Sequence, residues 1–127
     1  MYTGIMKKFF FLIFVVVIAS CEPKPKGTVE VIIQSETYKT PDDIFKLKKL
    51  DGDSTRIRLK VEKKHKVVTG KYEVSLGFYA NAGVFYNEGT LTDTIDIKEN
   101  GDVKIYLVGG DMQGIFASDP KIEVEYN

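Results

Sequence analysis

The sequence predicts a mainly β protein, a single antiparallel β-sandwich with one short helix near residues 41–50 as a competing element. Two observations carry this. Apolar and polar residues alternate with a period of two over most of the chain after Gly27, which puts one strand face on a core and the other in water. Turn residues punctuate these runs at Asp51-Gly52, Thr69-Gly70, Asn81-Ala82-Gly83, Asn100-Gly101, Gly109-Gly110 and Asp119-Pro120. Short strands at such spacing read as a sandwich. Apolarity on one face only points to antiparallel pairing, because parallel strands are usually covered on both faces.

The strands follow in order. Val29, Val31 and Ile33 share a face against Glu30 and Gln34. Thr40-Pro41-Asp42-Asp43 has the Thr N-cap, N1 proline and first-turn acids of a helix start. Ile44, Phe45, Leu47 and Leu50 spread around a helix rather than forming a stripe, whereas a strand would put Phe45 and Leu47 together. Helix and strand therefore both stay open at 41–50. Ile57, Leu59 and Val61 alternate with Arg56, Arg58, Lys60 and Glu62, and Tyr72, Val74, Leu76 and Phe78 alternate with Lys71, Glu73 and Ser75. A three-residue loop, Glu99-Asn100-Gly101, would pair Ile97 with Val103 and Ile95 with Ile105 in a hairpin, with a positive φ at Gly101. Ile122, Val124 and Tyr126 close the set.

The N-terminus reads differently. Lys7-Lys8 precede the apolar run Phe9 to Ala19, then Ile18-Ala19-Ser20-Cys21. The run of about 11 residues is short of the roughly 20 that a spanning helix needs. A basic start, an apolar stretch and small residues before a cut site describe a secretory signal peptide. The cysteine after the small residues resembles the lipobox of bacterial lipoproteins with a type II signal peptide. That resemblance implies diacylglycerol on the Cys21 thiol, cleavage before it, and a membrane anchor made of lipid. The expected organisation is a signal peptide at 1–20, a lipidated tether at 21–27 and a β-sandwich at 28–127. Glu22-Pro23-Lys24-Pro25-Lys26-Gly27 is an extended, unpaired composition. Glu22 is not the Asp that the enteric lipoproteins use for inner-membrane retention, so the outer membrane is favoured within an exported, envelope location.

Composition narrows the chemistry. Cys21 is the sole cysteine, so no disulfide is available within the chain and the core alone must hold the fold. Loss of Lys7 and Lys8 leaves 16 basic against 18 acidic residues. That overall balance predicts no nucleic-acid partner and no polybasic membrane patch. His65, the only histidine, stands among Lys63, Lys64 and Lys66, which repel a metal cation, and it reads as a solvated strand-end loop. No metal, cofactor or catalytic residue is expected. Asp51-Gly52-Asp53-Ser54-Thr55 echoes a calcium loop, but Arg56 stands where that loop needs glycine, so it reads as a tight turn. Glu73, Glu123 and Glu125 read as solvated carboxylates.

Leu76 to Gly89 holds two Phe-Tyr pairs around a small turn. A loop at Ala80 to Gly83 would oppose Phe78 to Phe85 and Tyr79 to Val84. Tyr79 and Tyr86 then point outward beside Asn81 and Asn87, as candidate contacts for a protein partner or a glycan. Gly70-Lys71-Tyr72-Glu73-Val74 resembles the Gly-x-Tyr-x-Val strand of immunoglobulin-like and transthyretin-like modules. The resulting expectation is a non-catalytic binding or scaffolding module on a lipid anchor, with a carbohydrate-binding accessory lipoprotein as the alternative. If Cys21 carries the lipid, Cys21→Ser leaves the protein out of the membrane fraction and slows its processing. Unchanged membrane association and apparent mass would contradict lipidation at this residue.

Overall fold

The computed structural model describes residues 24–82, 85–114 and 116–127. The expected signal peptide at 1–20 and the expected lipidation site Cys21 lie outside the described residues. Within them the chain is mainly β and folds as a sandwich of two four-stranded sheets. The strands are β1 (Lys26–Ile33), β2 (Ile44–Lys49), β3 (Arg56–Lys60), β4 (His65–Val68), β5 (Gly70–Ala82), β6 (Phe85–Ile97), β7 (Asp102–Val108), β8 (Met112–Gln113), β9 (Phe116–Ala117) and β10 (Lys121–Tyr126). One sheet has the order β10-β7-β1-β4 and is called here the N-terminal sheet. The other, the hairpin sheet, has the order β3-β2-β5-β6. A two-stranded ribbon, β8-β9, stands apart.

Alternation places the core. Val29 and Val31 of β1, Val103, Ile105 and Leu107 of β7, Phe45 and Leu47 of β2, Tyr72, Val74 and Leu76 of β5, and Ile95 and Ile97 of β6 are all buried. The tyrosine ring of Tyr72 enters this core while its hydroxyl donates to the Val68 carbonyl at 2.6 Å. Burial holds the Tyr72 phenol above its ordinary pKa, with Asp51 and Asp53 adding to the effect.

β1 and β7 are paired in parallel, Val29 beside Val103 and Val31 beside Ile105. This departs from the all-antiparallel expectation. One-sided apolarity reports which face is covered, not the strand direction. Here β4 and β10 flank the parallel pair with antiparallel partners, and its outward residues Glu30, Ile32, Lys104 and Tyr106 are partly exposed.

The predicted hairpin around Asn100 is also corrected. Ile97 pairs with Gly70 in the hairpin sheet, while Val103 pairs with Val29 and Tyr126 in the N-terminal sheet. The loop 98–101 is a corner that carries the chain between sheets. Its turn closes through the Gly101 amide donating to the Lys98 carbonyl at 2.9 Å. The positive φ, 59°, falls on Asn100 rather than Gly101. Both arrangements put Ile97 and Val103 in one core, so the alternation cannot separate them.

The open choice at 41–50 resolves into both elements in series. Pro41–Asp43 forms a single 3₁₀ turn, and Ile44–Lys49 runs on as a strand with Phe45 and Leu47 buried. Asp42 and Asp43 both take positive φ, which ends the helical start after one turn. The Asp51–Thr55 segment connects β2 to β3, with the Lys49 amide donating to the Thr55 carbonyl at 2.7 Å.

His65 belongs to β4 rather than to a loop. It pairs with Val29, meets Phe45 edge-on at 6.1 Å, and its Nε2 lies 2.8 Å from the Lys60 carbonyl.

Two ends of the sandwich can now be told apart. β1 begins at Lys26, so the last two tether residues are already strand. The Pro25 and Lys26 carbonyls accept from Thr69 and Asn100, and the Thr28 hydroxyl donates to Asp102 at 2.7 Å. The chain therefore enters the sandwich beside the β4–β5 and β6–β7 connections. A Cβ at Gly27 would press on the Lys98 carbonyl and the Ile97 side chain, so only glycine fits there. The β5–β6 hairpin and the β8-β9 ribbon lie at the opposite end.

Ile105 occupies a strand paired on both sides and is fully buried. Ile105→Ala is expected to destabilise the fold by about 2–5 kcal/mol, read as a lower urea midpoint.

Candidate functional site

β5 and β6 have 13 residues each, against six in β2. At roughly 3.3 Å per residue the hairpin is about 43 Å long. β2 pairs only with Tyr72 to Ser75 of β5, so the rest of the hairpin runs on toward the far end. There it is braced on one edge by Lys39, whose amide and carbonyl exchange bonds of 2.9 Å with Tyr79.

The inner side of this extension is closed by Tyr38, which is fully buried. Its ring meets Phe78 edge-on at 5.4 Å, and its hydroxyl accepts from the Asn87 amide at 3.0 Å. Gly110, at φ 84°, packs against the same ring so closely that a Cβ would lie 2.6 Å from it. Ser35 supports this cap by accepting from the Tyr38 amide at 3.0 Å and donating to the Gly109 carbonyl at 2.8 Å.

The hairpin register differs from the sequence expectation. Phe78 opposes Gly89 and Tyr79 opposes Glu88, with Ala82 opposite Phe85. The turn thus falls about two residues later, and Asn81-Ala82 belongs to β5. The Phe78 ring covers Gly89, where a Cβ would sit 2.8 Å from the ring. The expected Phe78–Phe85 pairing had no way to register this fit between a bare glycine and an aromatic face.

Tyr79 and Tyr86 both point outward, as expected, and are 37% and 61% exposed. Asn81 joins them, directly opposite Tyr86. Asn87 does not: it faces the other way and holds Tyr38. The fourth outward residue is Glu88, whose carboxylate accepts from the Tyr86 hydroxyl at 2.6 Å. That bond holds the Tyr86 phenol above its ordinary pKa, and burial adds a smaller push in the same direction.

Two further residues at this end escaped sequence reasoning. Met112 of β8 and Phe116 of β9 are 46% and 67% exposed. Of the six exposed large hydrophobic side chains among the described residues, Tyr79, Tyr86, Met112 and Phe116 lie at the end opposite the tether. Their short strands have no alternating run, so no period in the sequence marks them. The remaining two, Leu50 and Tyr126, lie toward the tether end.

Of the carboxylates named from the sequence, Glu73 is separated from the other two. Glu73 lies on the outer face of the hairpin sheet, while Glu123 and Glu125 lie on the outer face of the N-terminal sheet. Packed sheets are about 10 Å apart, so Glu73 cannot flank one bond together with Glu123 or Glu125.

No protein-family model, no curated protein and no solved structure matches this chain.

A raised phenol pKa in the fold favours the neutral form. The Tyr86–Glu88 bond therefore contributes at pH values below the free-tyrosine range and is lost as pH rises through the folded value. Glu88→Gln is expected to lower the Tyr86 titration midpoint toward that of free tyrosine, followed by NMR of Cζ-labelled tyrosine.

Proposed function

We propose that this protein is a lipid-anchored envelope lipoprotein whose domain is a non-catalytic binding or scaffolding module for a protein partner. The observation that carries this reading is that four of the six exposed large hydrophobic side chains among the described residues, Tyr79, Tyr86, Met112 and Phe116, belong to the hairpin and the ribbon at the end opposite Lys26. Tyr, Phe and Met are enriched in protein interfaces, and an exposed apolar group rimmed by polar residues marks such sites. Asn81 and Glu88 supply that rim.

The geometry suits an anchored module. A tether entering at Lys26 leaves the hairpin tip and the β8-β9 ribbon facing away from the bilayer that holds Cys21. The Tyr38 cap makes the tip a braced support rather than a free ribbon, so little ordering would be lost on binding. In the alternative reading the same tyrosines stack on sugar rings. Met112 and Phe116 favour the protein partner, because a methionine has no ring to stack and little use for hydroxyls.

A photo-crosslinking residue at position 86 or 116, in cells expressing the full chain, is expected to give one discrete protein adduct. The same probe at position 123, on the outer face of the N-terminal sheet, gives none. Absence of an adduct at both tip positions would contradict the reading. So would glycan-array binding that disappears in Tyr79→Ala and Tyr86→Ala.

A further inference from the structure

The outer face of the hairpin sheet carries a second feature, unrelated to the tip. β2 and β3 pair so that Lys46 lies directly opposite Arg58 and Lys48 directly opposite Arg56. All four side chains are exposed. Like charges placed directly across a strand pair are destabilising. Neither ion pair found among the described residues, Lys64–Asp102 and Lys121–Glu123, includes these cations, and the carboxylate directly opposite one of them is Glu73, across from Lys48. The face is also concave. A groove of about 510 Å³ runs between these four cations, Glu73 and Ser75. A second hollow of about 220 Å³ adjoins it, sharing Lys46, Arg58 and Ser75 and continuing past Asp42 and Gly77 to Thr90. Together they form a trough that crosses the sheet from β3 to β6.

We propose that this trough binds an acidic polysaccharide, a linear sugar chain bearing carboxylate or phosphate groups. Arg56 and Arg58 offer planar forks that take such groups with two hydrogen bonds each, and Lys46 and Lys48 add point charges. Ser75 and Thr90 supply hydroxyls for the uncharged parts of the chain. The carboxylates of Glu73 and Asp42 stand at opposite ends of the lining, where sugar hydroxyls can donate to them. The trough contains none of the exposed large hydrophobic side chains. Ile44 and Ile57 line it but are only half-exposed, so it lacks the large exposed apolar anchor of a protein interface or of a membrane-docking face. A concave, open-ended shape admits a chain and not a flat bilayer.

The test uses the full chain, purified from membranes in a non-ionic detergent, with polygalacturonate as the probe. Binding is expected at low salt, weakening as salt rises. The double variant Arg56→Gln/Arg58→Gln should bind about tenfold more weakly or worse. Glu123→Gln, on the other sheet, should bind as the parent does. The double variant should also melt at the same or a higher temperature at low salt, because it relieves like-charge pairs; this separates loss of binding from loss of fold. No binding of polygalacturonate, or binding unchanged in the double variant, would overturn the proposal. Tighter binding of polyglutamate, or of vesicles containing phosphatidylglycerol, would overturn it in favour of an acidic protein or a lipid surface.

Discussion

Everything in this structure depends on the meeting of two inward faces. Val29, Val31, Ile105 and Leu107 from one sheet press on Phe45, Leu47, Val74, Leu76 and Ile95 from the other. There is no disulfide to share the task, since the only cysteine precedes the domain. Apolar burial at roughly 25 cal/mol per Å² is the favourable term that must offset chain entropy. The parallel pairing of β1 with β7 ties this core to the strand by which the chain enters the domain. β1 sits inside its sheet, paired with β4 over 26–29 and with β7 over 28–33.

That arrangement gives the domain a foot and a head. The foot is built from the chain entry at Lys26, the β4–β5 and β6–β7 connections and the C-terminal residue, whose amide and carbonyl bond to Asp102. The head is the overhanging β5–β6 hairpin with the β8-β9 ribbon. Between them the Tyr38 cap converts an overhang into a supported platform. A two-stranded ribbon alone is marginal in water, and this one gains a third partner from Lys39 and a packed underside from Tyr38. The bare hairpin carries polar and aromatic groups that need this support to hold one geometry.

The fold class was legible because alternation and turn residues are local properties. Each long strand, from Val29 to Tyr126, carries its own period of two. What escaped were properties set by partners distant in sequence. The parallel β1–β7 pair joins residues more than 70 apart, and no period reports it. Ile97 and Val103 share a core in either a hairpin or a corner. The hairpin register turned on Phe78 filling the space above Gly89, a fit visible only once the strands are side by side. At the site, the outward Tyr79 and Tyr86 followed from the alternation; Asn81, expected in the loop, belongs to β5, and Asn87 faces inward because it follows an outward Tyr86 on the same strand. Charge shows the same limit. Balanced totals concealed the local block at Lys46, Lys48, Arg56 and Arg58, because composition averages over faces that folding separates.

The proposed function requires that a partner cover the hairpin end of the domain in the cell envelope. Amide hydrogen exchange tests it most directly, comparing the full chain in native membranes with the same chain in detergent. The account predicts extra protection in native membranes over 79–88 and 112–117, with the outer face of β10 and β7 unchanged. Equal exchange in both states, or protection confined to the N-terminal sheet, would contradict it.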